Sequence, residues 1–172
     1  MSHFKYYSEK LFVENTSVLN IAKKNKTPFY LYSENQIKEN YLNFAKIFKN
    51  INPLICFAAK ANTNLTIMRK LGKLGSGADV VSGGELLKAL KAGIKPNKIV
   101  FSGVGKTEDE LKLAIKNKIL LINVESESEA ILINKIAKKI NKIIPIGFRI
   151  NPNIDANTHQ KISTGKAENK FG

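Results

Sequence analysis

The sequence predicts an α/β protein, and more specifically part of an eight-stranded parallel βα barrel. Starting at Leu54, five apolar segments recur at intervals of roughly 20 to 25 residues with amphipathic segments between them, which is the spacing of βα units. Right-handed crossovers would make the five strands parallel. The glycine fingerprint of dinucleotide-binding folds is absent after the first strand, and this favours a barrel over an open, doubly wound sheet.

The length of the chain limits how much of a barrel it can form. A complete barrel needs about 250 residues, whereas the chain has 172. The predicted strands are about five of the eight that close such a barrel. We therefore expect an incomplete barrel, although the pattern itself is also compatible with an open sheet.

The residues before Leu54 predict three further elements. Residues 18–22 have a weak helical pattern. Residues 27–32 predict a strand, with Pro28 at its start, where a missing hydrogen-bond donor is tolerated. Ser33 followed by Gln36 forms a capping box that begins an amphipathic helix.

From Leu54 onward, predicted strands and helices alternate. The strands cover residues 54–59, 78–82, 98–102, 119–124 and 143–150, and the helices lie near residues 65–75, 85–92, 107–117 and 126–141. Thr107 and Ser126 are suitable N-caps for the last two helices. After residue 151 the pattern ends in a polar loop.

A single lysine follows the first of these strands. Residues 54–59 are apolar without interruption, as expected for a parallel strand covered on both faces, and Lys60 comes directly after them. Chemistry in α/β folds is placed at the carboxyl ends of strands, and a partly desolvated lysine there can form a Schiff base. The plainer alternative is a lysine whose stem covers apolar surface while its amine reaches water.

The other strand ends also carry polar residues. If the strands are parallel, all of these residues lie on one rim: Lys60, Asn62, Asp79, Ser82, Ser102, Gly103, Glu125, Ser126, Arg149 and Asn151. Asp79 could hold the Lys60 ammonium, and Arg149 could bind a phosphate or carboxylate. The alternative is that polar residues collect at strand ends simply because loops begin there.

The charge does not indicate nucleic-acid binding. The formal net charge is +14, and Arg69 and Arg149 are the only arginines. The lysines are spread over every predicted helix, with no basic arm and no aromatic-basic interleaving. A solvated surface explains this distribution better than a phosphate-binding surface does.

Composition also favours a cytoplasmic protein. No segment approaches the length of a membrane span, and the first residues lack the apolar core of a secretory signal. The single cysteine, Cys56, cannot form an internal disulfide and lies within an apolar strand. We expect it to act as a small buried hydrophobe.

Two rival sites are disfavoured. Residues 101–107, Phe-Ser-Gly-Val-Gly-Lys-Thr, suggest a P-loop, but that motif needs a glycine five positions before Gly105, where the chain has Val100. His3 and His159 have no Cys or carboxylate partner at ligand spacing, so no metal site is expected.

Several segments, taken together and in order, resemble the fold-type III pyridoxal-phosphate decarboxylases. Residues 57–62, Phe-Ala-Ala-Lys-Ala-Asn, are similar to the family segment whose lysine carries the cofactor as a Schiff base. Four further segments resemble the branch that acts on diaminopimelate: residues 77–86, 99–107, 123–127 and 149–152. The closing residues 158–172 favour this branch over the ornithine and arginine decarboxylases.

The resemblance implies a pyridoxal 5'-phosphate enzyme that decarboxylates meso-2,6-diaminoheptanedioate to L-lysine. Lys60 would be the catalytic lysine, and Lys60, Asp79, Ser82 and Arg149 would bind the cofactor. The family fold is a βα barrel with a β-rich domain. Residues 1–32 would then be an N-terminal segment whose helix and strand belong to the β-rich domain, and residues 33–172 would be the incomplete barrel.

Family members are more than twice as long as this chain. By the resemblance, the remaining length holds the glycine-rich phosphate loop and residues that complete the site across a dimer. We therefore expect an amino-acid substrate and a partner, either the missing C-terminal half or a second copy. Three alternatives stay open: an inactive fragment or pseudoenzyme that at most binds a partner; a decarboxylase of ornithine, arginine or carboxynorspermidine; and, disfavoured by Val100, a nucleotide-hydrolysing module.

Overall fold

A computed structural model describes residues 3–154 and Gly165. The chain divides into two compact units, Met1–Pro53 and Leu54–Gly172. The closing motif after residue 157, including His159, lies outside the described residues apart from Gly165. The expected division into residues 1–32 and 33–172 concerns a β-rich domain in a longer fold and stays a prediction.

The first unit begins with an antiparallel sheet that the sequence patterns did not predict. Its strands are β1 (Phe4–Tyr7), β2 (Lys10–Val13) and β3 (Thr16–Ser17), paired in that order. Ser8 and Glu9, both at positive φ, connect β1 to β2, as in a tight two-residue hairpin turn. Two helices follow, α1 (Val18–Lys24) and α2 (Glu34–Ile47). The weak helix predicted at residues 18–22 is therefore confirmed.

The predicted strand at residues 27–32 is not formed. These residues pair with no strand in the described part of the chain, and Tyr30 is 90% exposed. A strand is held by hydrogen bonds to a partner strand, and the described sheet of this unit contains β1, β2 and β3 without these residues.

The cap of α2 is half of the predicted capping box. The Ser33 hydroxyl accepts a hydrogen bond from the Gln36 amide at 3.0 Å, as predicted. The Gln36 side chain, however, accepts from the His3 amide instead of the Ser33 amide. Glu14 completes the cap by accepting from the Ser33 hydroxyl at 2.6 Å and the Asn35 amide at 3.0 Å. These hydrogen bonds lower the pKa of Glu14.

The second unit is built on a five-stranded parallel sheet, which confirms the predicted βα repeat. The elements follow in the order β4 (Cys56–Ala58), α3 (Leu65–Lys73), β5 (Gly77–Val80), α4 (Gly83–Lys91), β6 (Ile99–Phe101), α5 (Glu108–Lys116), β7 (Leu121–Val124), α6 (Glu127–Lys139) and β8 (Ile146–Phe148). Neighbours in sequence are neighbours in the sheet, all parallel. This order has no reversal, as in a barrel wall, whereas a doubly wound sheet changes direction at a switch point.

One face of this sheet forms the core. Alternate strand residues are buried and make one apolar cluster with the helices; those from the three central strands are Ala78, Val80, Ile99, Phe101, Ile122 and Val124. Residues one position along belong to the opposite face, since side chains alternate along a strand. On this opposite face, the register aligns Ala58, Asp79 and Val100 across β4, β5 and β6. It also aligns Asn123 of β7 with Gly147 of β8. The polar Asp79 and Asn123 therefore share this second face.

Candidate active site

The carboxyl ends of the parallel strands surround an open cleft of about 700 Å³. Its lining residues are Lys60, Asp79, Val81, Ser102, Gly103, Val104, Asn123, Glu125, Phe148 and Arg149. Three of the four predicted site residues, Lys60, Asp79 and Arg149, are therefore brought together. Ser82 is not among the lining residues.

Lys60 lies in a short 3₁₀ turn, Ala59–Ala61, directly after β4. The turn is anchored by the fully buried Ala59, whose carbonyl accepts from the Asn62 amide at 3.1 Å. The Lys60 residue itself is exposed, and within the described residues its amine makes no hydrogen bond or ion pair. The backbone at Lys60 is thus held in place, while its amine stays available to react, as a nucleophile requires.

The ion pair expected between Asp79 and Lys60 is absent from the described residues. The Ser102 hydroxyl instead donates to Oδ1 of Asp79 at 2.6 Å, and the Asn123 amide group donates to the Ser102 oxygen at 3.0 Å. A relay across three neighbouring strands therefore orients the Asp79 carboxylate. Cys56 lies on the same face of the sheet; burial raises the pKa of its thiol, and the nearby negative charge of Asp79 raises it further.

Arg149 is held at the opposite side of the cleft by Glu125. Its guanidinium donates to Oε1 of Glu125 at 3.1 Å, and the same oxygen accepts from the Gly103 amide at 3.1 Å. The Glu125 side chain is 5% exposed, and that of Arg149 is 36% exposed. The second oxygen of Glu125, Oε2, is buried and has no hydrogen-bond partner among the described residues. Buried carboxylate oxygens are normally paired, so this atom can accept a donor from a ligand or from further protein.

The lysine of the glycine-rich loop, Lys106, has a structural position that the sequence patterns missed. Its side chain is 1% exposed and pairs with Glu129 at 2.9 Å. The amine also donates to the backbone oxygens of Gly103 and Asn123, both at 2.7 Å. All three N–H donors are therefore used inside the protein. A P-loop lysine must reach a phosphate, and Lys106 is not available for one.

The amino termini of α4, α5 and α6 are closed by the chain's own side chains. At the start of α4, Glu85 accepts from the Val81 amide at 2.9 Å and Glu110 accepts from the Gly83 amide at 2.7 Å. At the start of α5, the other oxygen of Glu110 accepts from the Thr107 amide at 3.0 Å. Glu129 accepts in the same way from the Glu125 amide at 2.8 Å. Carboxylates at these positions take amide donors that an anion would use and repel a second negative charge. A phosphate cradle is therefore not present at these three helix ends.

Ser82 belongs to this capping arrangement. Its hydroxyl accepts from the Glu85 amide at 3.2 Å as the N-cap of α4. Its predicted contact with a cofactor stays a prediction. Among the described residues no three His, Cys, Asp or Glu side chains are arranged to hold a metal ion, and no helix there combines the length and apolarity needed to cross a membrane.

Comparison with known proteins identifies a matching family. Residues 34–172 match the model described as "Pyridoxal-dependent decarboxylase, pyridoxal binding domain". A relative named diaminopimelate decarboxylase, from Helicobacter pylori strain J99, is 57% identical over 147 residues, which are 86% of this chain and 36% of that protein.

Two solved structures are similar over nearly the whole chain. The crystal structure of diaminopimelate decarboxylase from Helicobacter pylori complexed with L-lysine has a TM-score of 0.87 at 53% identity, covering 90% of this chain and 39% of that one. The diaminopimelate decarboxylase of M. jannaschii has a TM-score of 0.90 at 43% identity, covering 99% and 41%. The chain therefore spans about two fifths of the length of the relatives that it matches.

Proposed function

The chain belongs to the pyridoxal-dependent decarboxylase family, and from this premise we propose that it is part of an enzyme that decarboxylates meso-2,6-diaminoheptanedioate to L-lysine. The single observation that carries the proposal is the cleft itself, in which the uncommitted amine of Lys60 faces the same opening as Asp79 and Arg149. The relatives named diaminopimelate decarboxylase support the choice of substrate.

The lining residues fit pyridoxal 5'-phosphate as the cofactor. The Lys60 amine is available to bind the aldehyde of the cofactor covalently. The Asp79 carboxylate and the Arg149 guanidinium line the same cleft and provide one negative and one positive charge. When bound, pyridoxal phosphate supplies a ring that withdraws the electron pair left on the substrate carbon as carbon dioxide departs.

The chain's own residues contribute binding, orientation and proton transfer. Lys60 Nζ is the group that can take up and return a proton, because none of the described residues holds it by a hydrogen bond or ion pair. Asp79 presents a carboxylate whose direction is set by Ser102 and Asn123. Arg149 provides a cation for an anionic group of the ligand, and Glu125 limits where that cation can lie.

The open edges of the sheet and the apolar side chains exposed near β8 support a requirement for a partner. Strands β4 and β8 are the edges of the described sheet, and apolar side chains near β8 are exposed: Phe148 is 69% exposed and Ile150 79%. Open edges and apolar faces favour pairing with further protein. We propose that either a C-terminal portion or a second copy covers them, and that the protein is cytoplasmic. The alternative, a fragment that binds a partner without catalysing, rests on the same surface.

The experiment that tests the proposal is chemical trapping. The chain is mixed with pyridoxal 5'-phosphate, reduced with borohydride, digested and analysed by mass spectrometry. Label should concentrate on Lys60, disappear in Lys60→Ala and persist in Lys91→Ala, a control at an exposed helix lysine. Equal labelling of Lys60 and the surface lysines would refute a built site.

A complementation experiment separates the enzyme from the partner-binding fragment. The C-terminal portion of a full-length diaminopimelate decarboxylase is added to the chain with pyridoxal phosphate and meso-2,6-diaminoheptanedioate. Release of L-lysine that requires Lys60 supports the enzyme. Complex formation without lysine release, in a chain that labels at Lys60, supports the fragment that only binds.

A further inference from the structure

We propose that the buried pair of Lys106 and Glu129 positions Arg149 and the Gly103 amide at the cleft, acting through Glu125. Lys106 is then a positioning residue of the site described above. This inference rests on the proposed function, because it assigns Arg149 to an anionic part of the ligand.

The first step of the argument is the isolation of Lys106 from solvent. Its side chain is 1% exposed and that of Glu129 is 9% exposed, and the amine also lies 5.7 Å from the centre of the Phe101 ring. A buried charge is retained only when its partners satisfy it. Here the partners lie in three segments: the loop after β6 through Gly103, strand β7 through the Asn123 carbonyl, and helix α6 through Glu129.

The second step leads from this pair to the cleft. The oxygen of Glu129 that does not contact Lys106, Oε2, accepts from the Glu125 amide at 2.8 Å. Glu125 is thereby fixed in its backbone by Glu129, and its side chain contacts both the Gly103 amide and the Arg149 guanidinium. Lys106 also holds the carbonyl of Gly103. The Gly103 amide is therefore linked to Lys106 through the Gly103 carbonyl. The Arg149 guanidinium is linked to Lys106 through Glu125 and Glu129.

The third step is that the backbone of Arg149 lies against the same segment as its side chain. Arg149 directly follows β8, which pairs with β7 in the described sheet, and its amide donates to the Val124 carbonyl at 3.0 Å. The backbone of Arg149 and its guanidinium are thus both set against the Val124–Glu125 segment. That segment is the one that Lys106 and Glu129 hold in place.

The test uses the full chain and compares trapping at Lys60 by pyridoxal 5'-phosphate with trapping by pyridoxal, which lacks the phosphate. The ratio of the two rates measures the contribution of Arg149 to recognition of the anion. We expect Arg149→Met to lower this ratio by roughly three- to fivefold, the size of one partly exposed ionic contact. The double variant Lys106→Met/Glu129→Leu should lower it in the same direction, with the rate for pyridoxal within about twofold of the unmodified chain.

The double variant is chosen because it leaves no uncompensated buried charge, whereas Lys106→Met alone would leave Glu129 buried and unpaired and would destabilise the fold. Its matched control is Lys112→Met/Glu108→Leu, which removes an exposed lysine–glutamate pair of similar length, 3.0 Å. The control should leave the ratio unchanged. Destabilisation alone would lower both trapping rates together and would not change their ratio.

The outcomes separate the two proposals. An unchanged ratio in either Arg149→Met or the buried double variant overturns the positioning role. If the unmodified chain is not trapped selectively at Lys60, the proposed function fails, and hydrogen exchange of the Gly103 amide then decides the positioning role by itself. That amide should exchange at least tenfold faster in the buried double variant than in the control, relative to the core amide of Ile122; equal rates would overturn the inference.

Discussion

The hydroxyl of Ser102 donates a 2.6 Å hydrogen bond to the carboxylate of Asp79, so the residue directly after strand β6 orients the acid on strand β5. The two strands are neighbours and parallel. This contact takes the place of the ion pair that residue types alone suggested between Asp79 and Lys60. The carboxylate is therefore positioned before any ligand arrives, and the amine remains uncommitted.

Replacement of Ser102 by alanine should disturb the site more than the fold. Loss of a hydrogen bond to a charged group costs about 1.5–3 kcal/mol where the group is desolvated, and we expect about 1 kcal/mol here because Asp79 is only half-buried. The rate of trapping at Lys60 should fall about fivefold, the kinetic equivalent of about 1 kcal/mol. The trapping rate checks the effect on the site, and the thermal midpoint checks the effect on the fold. The control is Ser128→Ala, at an exposed serine. An unchanged trapping rate in Ser102→Ala would contradict the orienting role.

Lys60, which follows β4, and Lys106, in the loop after β6, should differ sharply in their contribution to stability. Lys60→Ala removes an amine that makes no hydrogen bond or ion pair with the described residues, so the free energy of unfolding should change by less than about 0.5 kcal/mol. Lys106→Ala leaves Glu129 as an unpaired buried charge and should cost about 3–5 kcal/mol. Urea unfolding of the two variants measures the difference. Similar losses in both would mean that Lys60 has a structural partner or that the Lys106 pair is solvated.

The contrast between these lysines also shows what sequence patterns can predict. The position of Lys60 follows from local pattern and topology, because an apolar run, a turn and a parallel neighbour place it at the rim. The burial of Lys106 depends on acceptors 17 and 23 residues away in the chain, Asn123 and Glu129. A lysine between glycine and threonine gives no local indication of such partners, so its role was missed.

The fold, too, was predictable where local sequence determines the structure and not where distant partners do. The parallel strands were found to within about three residues at either end, because each repeat carries its own apolar run and cap; Thr107 and Glu110, for example, form a complete capping box. The hairpin of β1 and β2 was missed because each strand has only four residues. The strand predicted at residues 27–32 was wrong because its local pattern cannot reveal whether a pairing partner is free.

Gly77 should be intolerant of any side chain. A Cβ atom at this position would lie 2.2 Å from the Lys98 carbonyl oxygen and 2.8 Å from the Cys56 sulfur. The oxygen belongs to backbone and cannot turn away, so Gly77→Ala should destabilise the sheet by about 2 kcal/mol or more. The matched control is Gly84→Ala in α4, where the nearest atom is 3.8 Å away; alanine should be neutral or stabilise by up to about 1 kcal/mol there. Equal denaturation midpoints for the two variants would contradict the predicted clash.

Glu110 should make the stability of the second unit depend on pH in the acidic range. Hydrogen bonds from the Gly83 amide and then the Thr107 amide lower the pKa of Glu110 in the folded protein. A carboxyl group whose pKa is lower when folded contributes stability above its unfolded pKa of about 4.3, and this contribution is lost as pH falls through the folded pKa. Glu110→Gln should therefore be less stable than the unmodified chain at pH 7, with the gap closing below about pH 4.

The measurement for Glu110 is the free energy of unfolding from pH 3 to pH 8. Asp109→Asn is the control, because this neighbour is exposed, with a side chain 95% accessible, and caps no amide of another helix. Its curve should run parallel to that of the unmodified chain, whereas the Glu110→Gln curve should be flatter in the acidic range. The carboxylate of Glu110 connects helix α5 to the first amide of α4, so a gap that stays constant with pH would show that this connection does not depend on its charge.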